Sequence, residues 1–146
     1  MEKEKEKEKE KEKEKEKDKI YINVLLKDVL IFDDTSKEKY INIKDHSYYK
    51  ALRDNDSNIY LEYVNKMSSQ KKKDTGTWSG FTELYKNIKK NGFELQNTGS
   101  IRIKKTENNK YCCFHGRHRM CMMKHLYNDN TILTLKNNKV CSITQV

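Results

Sequence analysis

The sequence predicts an α/β (α+β) protein with a small mixed sheet and packed helices, on three observations. Apolar residues recur at helical spacing in two places. Phe81, Leu84, Tyr85 and Ile88 stand at 0, 3, 4 and 7, and Met120, Met123 and Tyr127 share a face with Lys124. Short runs rich in Ile, Val and Tyr, bounded by Asn and Gly, precede, separate and follow these stretches. From Phe81 onward the order is helix, strand, strand, helix, strand, strand, which suits a layered α/β or α+β domain.

Taken in order, residues 20–32 (IYINVLLKDVLIF) read as one or two strands, and residues 40–43 alternate like another short one. A polar stretch with Asp45, His46 and Ser47 follows. Residues 58–67 place Ile59, Leu61, Tyr63, Val64 and Met67 close to helical spacing. Residues 68–80 are polar, basic and glycine-containing, a loop. Residues 81–91 form an amphipathic helix that Ser79 or Thr77 could cap and that Asn91-Gly92 stops. Residues 100–104 alternate, with Ile101 and Ile103 on one side, and read as a strand. A turn at residues 107–109 leads to a strand at 111–114. Gly116 breaks that strand, and residues 117–127 read as a helix ended by Asn128-Asp129-Asn130. Residues 131–135 and 140–143 are two last strands around an Asn137-Asn138 turn, with Cys141 expected in the core.

The chain has 146 residues, no proline, 36% charged residues, a formal charge of +9 and a mean hydropathy of −1.09. Those totals mix two parts. Residues 2–17 are eight Glu-Lys dipeptides, and residues 1–19 hold nine acids and nine Lys, net zero. Residues four apart are like-charged throughout this repeat, and no apolar residue gives it a packing face. It is expected to be a disordered, hydrated low-complexity tail. Residues 20–146 carry the whole excess, 22 bases against 13 acids, and 49 of the 50 hydrophobic residues. They are expected to form one domain. Collagen, a coiled coil over the whole chain and a membrane protein are excluded. The start lacks the apolar core of a secretory signal and is too acidic for a transit peptide. No run of 18 apolar residues occurs. Four cysteines without a signal fit a reducing compartment, so an intracellular, cytoplasmic location with free thiols is expected.

The segment YCCFHGRHRMCMMKHLY, residues 111–127, carries the chemistry. A strand runs into Gly116, where the missing Cβ lets backbone approach a ligand, and a helix then opens on Arg117, His118 and Arg119. First-turn amides lack intrahelical partners and suit an anion. Cations at a helix N-terminus oppose the macrodipole, at roughly 0.3–1 kcal/mol each, so stability alone would favour Asp or Glu there. An anion between the arginines and the helix end accounts for them. The bland reading is surface cations on a basic protein whose helix starts later.

Gly116-Arg117-His118-Arg119, after a strand and opening a helix, resembles the G-x-H-R box of the ParB/sulfiredoxin-like superfamily. The pattern F-x-x-L-Y-x-x-I-x-x-x-G-F from Phe81 to Phe93 resembles the helix preceding that box. Ile101-Arg102-Ile103 resembles its strand. The likeness covers residues 78–135. It implies a ParB-like domain binding a nucleotide or a phosphorylated small molecule, a nucleotide with Mg²⁺ as cofactor, and phosphotransferase or hydrolase activity. Gly116, His118 and Arg119 match the box, and Arg117 takes its variable position. His115, Arg102 and Lys104 are supporting candidates. Sulfiredoxins carry a catalytic Cys where Arg117 stands, so sulfinic-acid reduction is not implied. The partitioning proteins carry a downstream helix-turn-helix for which too few residues follow here. Glu83, Glu94 and Glu107 are candidate bases, and no spacing singles one out.

The same residues admit rivals. Cys112, Cys113, His115, His118, Cys121 and His125 fall within fourteen positions, without the ligand rhythm of a structural zinc site. No metal ligand is therefore expected, and buried thiols are favoured. Cys113 with His115 or His118 could form a nucleophile pair, but no orienting group is visible. The basic body, with Lys71-Lys72-Lys73, Lys89-Lys90, Lys104-Lys105 and Lys110 among aromatic residues, suits a nucleic-acid-binding or nuclease module as the alternative. A non-catalytic scaffold is the third reading.

Overall fold

The computed structural model describes residues 20–67, 77–95 and 100–146. The Glu-Lys tail and the lysine cluster at residues 71–73 lie outside the described residues. Among the described residues seven strands make one mixed sheet in the order β1-β6-β7-β4-β5-β2-β3, accompanied by four α-helices, so the fold is α+β.

The apolar run at residues 20–32 becomes two strands, β1 (Ile22–Leu25) and β2 (Val29–Phe32), separated by a 3-10 turn at Leu26–Asp28. Lys27 and Asp28 cannot continue an apolar strand, and the turn sends the two halves to distant places in the sheet. β1 forms an edge, antiparallel to β6 (Ile132–Lys136), with Val24 opposite Leu133. β2 lies parallel to β5 (Tyr111–His115), with Ile31 beside Cys113, the sheet's one parallel pairing among the described residues. β3 (Tyr40–Asn42) closes the other edge against β2. β4 (Arg102–Lys105) pairs with β5 and β7 (Lys139–Thr144). The β6–β7 turn is Asn137-Asn138, both residues at positive φ (51° and 63°), the twist a two-residue hairpin requires.

The helices are α1 (Ser47–Asp54), α2 (Ser57–Asn65), α3 (Trp78–Asn91) and α4 (Arg117–Leu126). The polar stretch around Ser47 is thus a helix. Its sequence, SYYKALRD, shows little periodicity, but His46 caps it by accepting from the Tyr48 amide through Nδ1 at 3.1 Å. Asp56 caps α2 through the Asn58 amide at 2.9 Å, and Thr77 caps α3 through the Gly80 amide at 3.1 Å. α3 therefore begins inside the stretch expected to be a loop, because Thr77 supplies the cap four residues before the apolar run.

Alternate strand residues and one stripe of every helix form a single core. Val24, Val29, Ile31, Ile103, Cys113, Leu133, Leu135 and Val140 meet Tyr48, Ala51, Tyr60, Tyr63, Phe81, Ile88 and Met120–Met123. Cys141 is exposed, contrary to expectation: a register shift at Thr134/Leu135 takes it out of the alternation, and its thiol donates to the Thr134 carbonyl. No helix among the described residues is long and apolar enough to cross a membrane.

Candidate functional site

Parallel pairing brings the C-terminal ends of β2 and β5 side by side, the place where open sheets of parallel strands most often receive ligands. The chain leaving β2 supplies Asp33 and Asp34. The chain leaving β5 supplies Gly116 and the start of α4.

Gly116 sits in the left-handed region, φ 74° and ψ 36°, as the residue that caps α4. A Cβ on it would lie 2.8 Å from the Ser100 carbonyl oxygen and 3.0 Å from Ile101 Cα. The space glycine vacates is therefore taken by the protein's own backbone leading into β4. This differs from the expectation that it admits a ligand. The α4 N-terminus has no side-chain cap, unlike the other three described helices, and like them it has no acid in its first turn. Its leading amides keep the anion preference that helix ends have.

The three side chains after the glycine separate. Arg117 turns inward. Its Nη1 lies 2.8 Å from Asp34 Oδ2 and donates to the Phe32 carbonyl at 3.3 Å and the Tyr63 hydroxyl at 3.2 Å. The guanidinium also lies 5.6 Å from the centre of the Phe32 ring. The Asp34 amide donates to the same Tyr63 hydroxyl, so one phenol joins both chain ends. His118 enters an aromatic nest of Tyr48 (4.4 Å between ring centres), Phe81 (4.9 Å) and Tyr60 (5.8 Å). Burial, then the charges of Arg117, His46 and Arg119, pull its pKa down to about 3, so the ring is neutral at pH 7. Arg119 is half-buried and makes no hydrogen bond or ion pair with another described residue. Of the three cations expected to face a ligand, Arg117 is paired internally, His118 is uncharged, and Arg119 remains.

The supporting candidates lie on the neighbouring strands. Arg102 pairs in register with His115 on one side and Lys139 on the other. His115 is exposed beside the turn. Lys104 sits further along β4 opposite Cys112, its Nζ 5.1 Å from the Phe114 ring centre. It belongs to the middle of the sheet rather than to the glycine turn.

Four residues of this corner escape a reading of the sequence. Asp33 is nearly buried and accepts from both the amide and the hydroxyl of Thr35 at 2.8 Å. Asp34 holds Arg117. Tyr63 bridges them. His46 is fully buried, with ring centres 4.7 Å from Tyr48 and 4.8 Å from Tyr63. Burial dominates its pKa, drawn down to about 4 against the pull of Asp33. Its Nδ1 accepts, so the neutral ring carries its proton on Nε2. Two acids directly after an apolar run are visible in the sequence. That this run lies beside β5 is not.

Burial pushes the Cys113 thiol up to about 12 and holds that of Cys121 well above the ordinary thiol range, so neither ionises readily. Among the described residues no group of three or more His, Cys, Asp or Glu could hold a metal ion. No protein-family model, curated protein or solved structure matches the chain.

Proposed function

We propose that the protein binds a phosphate-bearing ligand, a nucleotide or a phosphorylated small molecule, at residues 116–119. The observation that carries this is the uncapped start of α4, set at the end of β5 with Arg119 beside it. Leading amides accept phosphate oxygens, and the Arg119 guanidinium adds a charge-assisted fork. The Arg117–Asp34 pair fixes the position of the turn rather than contacting the ligand. His118, neutral in its nest, holds the first turn of α4 against α1 and α3. The likeness of this box to the ParB/sulfiredoxin-like one favours the same ligand class. A Mg²⁺ accompanying a nucleotide would be held mainly by the nucleotide's own phosphates and by water. No base is proposed: Asp33 is engaged by Thr35 and Asp34 by Arg117. The proposal is binding, not turnover.

Calorimetric titration with ATP, ADP, CTP, GTP and inorganic phosphate tests it. Arg119→Ala is expected to weaken the bound ligand at least about tenfold, the cost of one charge-assisted contact. Because Arg119 opposes the helix dipole, the same variant without ligand is expected to melt at an equal or slightly higher temperature, by about 0.3–1 kcal/mol. An unchanged titration in Arg119→Ala, or no binding by the wild type, refutes the site.

A further inference from the structure

The four described helices pack on one face of the sheet, and among the described residues no helix covers the other face over β4, β5, β2 and β3. Residues there alternate with the core ones. Leu30 and Phe32 flank buried Ile31, and Lys104 neighbours buried Ile103. Cys112 is fully buried yet stands outside the core cluster, beside Leu30 and opposite Lys104. Between the β2–β3 edge and the β4–β5 hairpin lies a groove of about 610 Å³, lined by Lys39, Lys104, Lys105 and Lys110 against two acids, Glu38 and Glu107, with Tyr40 in its wall. Phe114, 37% exposed, lies on this face under the Lys104 ammonium.

A second observation is the register. Lys136 stands opposite Lys139 across the β6–β7 hairpin, and Lys139 stands opposite Arg102 across β7–β4. Three cations on three adjacent strands thus form a row, with strands about 4.8 Å apart. Like charges directly opposite one another destabilise a sheet, and no ion pair with a described acid relieves any of the three. A polyanion laid across the strands would relieve all of them. The exposed Phe114 ring on β5, next to the row, and the half-buried Tyr40 in the groove wall on the same face suit unpaired bases, which a duplex does not offer.

We infer that the open sheet face binds single-stranded nucleic acid, its phosphates along Lys136, Lys139, Arg102 and Lys104 and its bases against Phe114 and Tyr40. This surface is separate from the α4 N-terminus and does not rest on the phosphate site proposed there.

Fluorescence anisotropy of the full chain with labelled oligo-U and oligo-dT strands of about 15 nucleotides, and with a duplex of equal length, tests this. Both single strands are expected to bind, more tightly than the duplex, with affinity falling steeply between about 50 and 200 mM salt. Phe114→Ala is expected to weaken binding about tenfold without changing the salt slope. Lys139→Ala is expected to flatten that slope by about 0.7 while raising the melting temperature, as one partner of each like-charge pair is removed. Arg119→Ala is expected to leave oligonucleotide binding unchanged, which separates this surface from the phosphate site. The inference is overturned if neither strand binds at low salt, if the duplex binds as well, or if Phe114→Ala has no effect. Equal competition by a poly-glutamate peptide also overturns it, by assigning the face to an acidic protein.

Discussion

Arg117 and Arg119 stand two positions apart on the first turn of α4 and meet different surroundings. The Arg117 side chain is 17% exposed and that of Asp34 9%, so their pair is largely removed from water. Removing one member of such a pair strands the other, at about 3–5 kcal/mol, whereas removing both is often far less costly. Arg117→Met is therefore expected to lower unfolding free energy in urea by about 3 kcal/mol. Arg117→Met with Asp34→Asn is expected to recover much of that loss. Additive losses in this double-mutant cycle would contradict the pairing. Gly116 likewise serves the fold first: its left-handed backbone and the nearby Ser100 carbonyl oxygen leave no room for a side chain.

At the scale of elements, local chemistry and packing divide the work. The β6–β7 hairpin rests on two asparagines held at positive φ. Asn138→Gly keeps that conformation without Cβ strain and is expected to raise the melting temperature. Asn138→Val is expected to cost about 1–2 kcal/mol, since a β-branched residue in the left-handed region crowds its own backbone. Opposite shifts of the two variants are the signature, and a common direction would show that the turn is not of this type. α1 depends less on its own sequence. It is short, so its order comes from the His46 cap and from burying Tyr48 and Ala51.

For the whole molecule, two neutral histidines set how stability depends on pH. His46 is drawn down to about 4 by burial, with Asp33 and Asp34 opposing and Arg117 assisting. His118 is drawn down to about 3 by burial, assisted by Arg117, His46 and Arg119. In the unfolded chain both take up protons below about pH 6.5, while in the folded chain they do not until far lower. Stability is thus full above that value and falls as pH drops from about 6.5 towards 4. Each histidine contributes a slope of about 1.4 kcal/mol per pH unit. Urea titrations across this window are expected to show nearly two protons taken up on unfolding, and His118→Phe to show about one. A flat profile would mean that these rings are charged or solvated.

The sequence by itself determined what depends on neighbours along the chain. The 3.6-residue spacing of Phe81, Leu84, Tyr85 and Ile88 made α3, and alternation around Ile101 and Ile103 made β4. The Asn137-Asn138 turn and the glycine that opens α4 were legible for the same reason: left-handed backbone selects a few residue types. α1 was hidden because a helix of eight residues capped by a histidine leaves too weak a pattern. The tertiary structure alone decided which strands adjoin. Parallel pairing of β2 with β5, over eighty residues apart in sequence, set Asp34 against Arg117 and left Arg119 as the site's unpaired cation among the described residues. The register of β4, β6 and β7 placed Lys136, Lys139 and Arg102 in one row. Charge could be counted along the chain, but whether a charge is neutralised depends on what folding brings within a few ångströms of it.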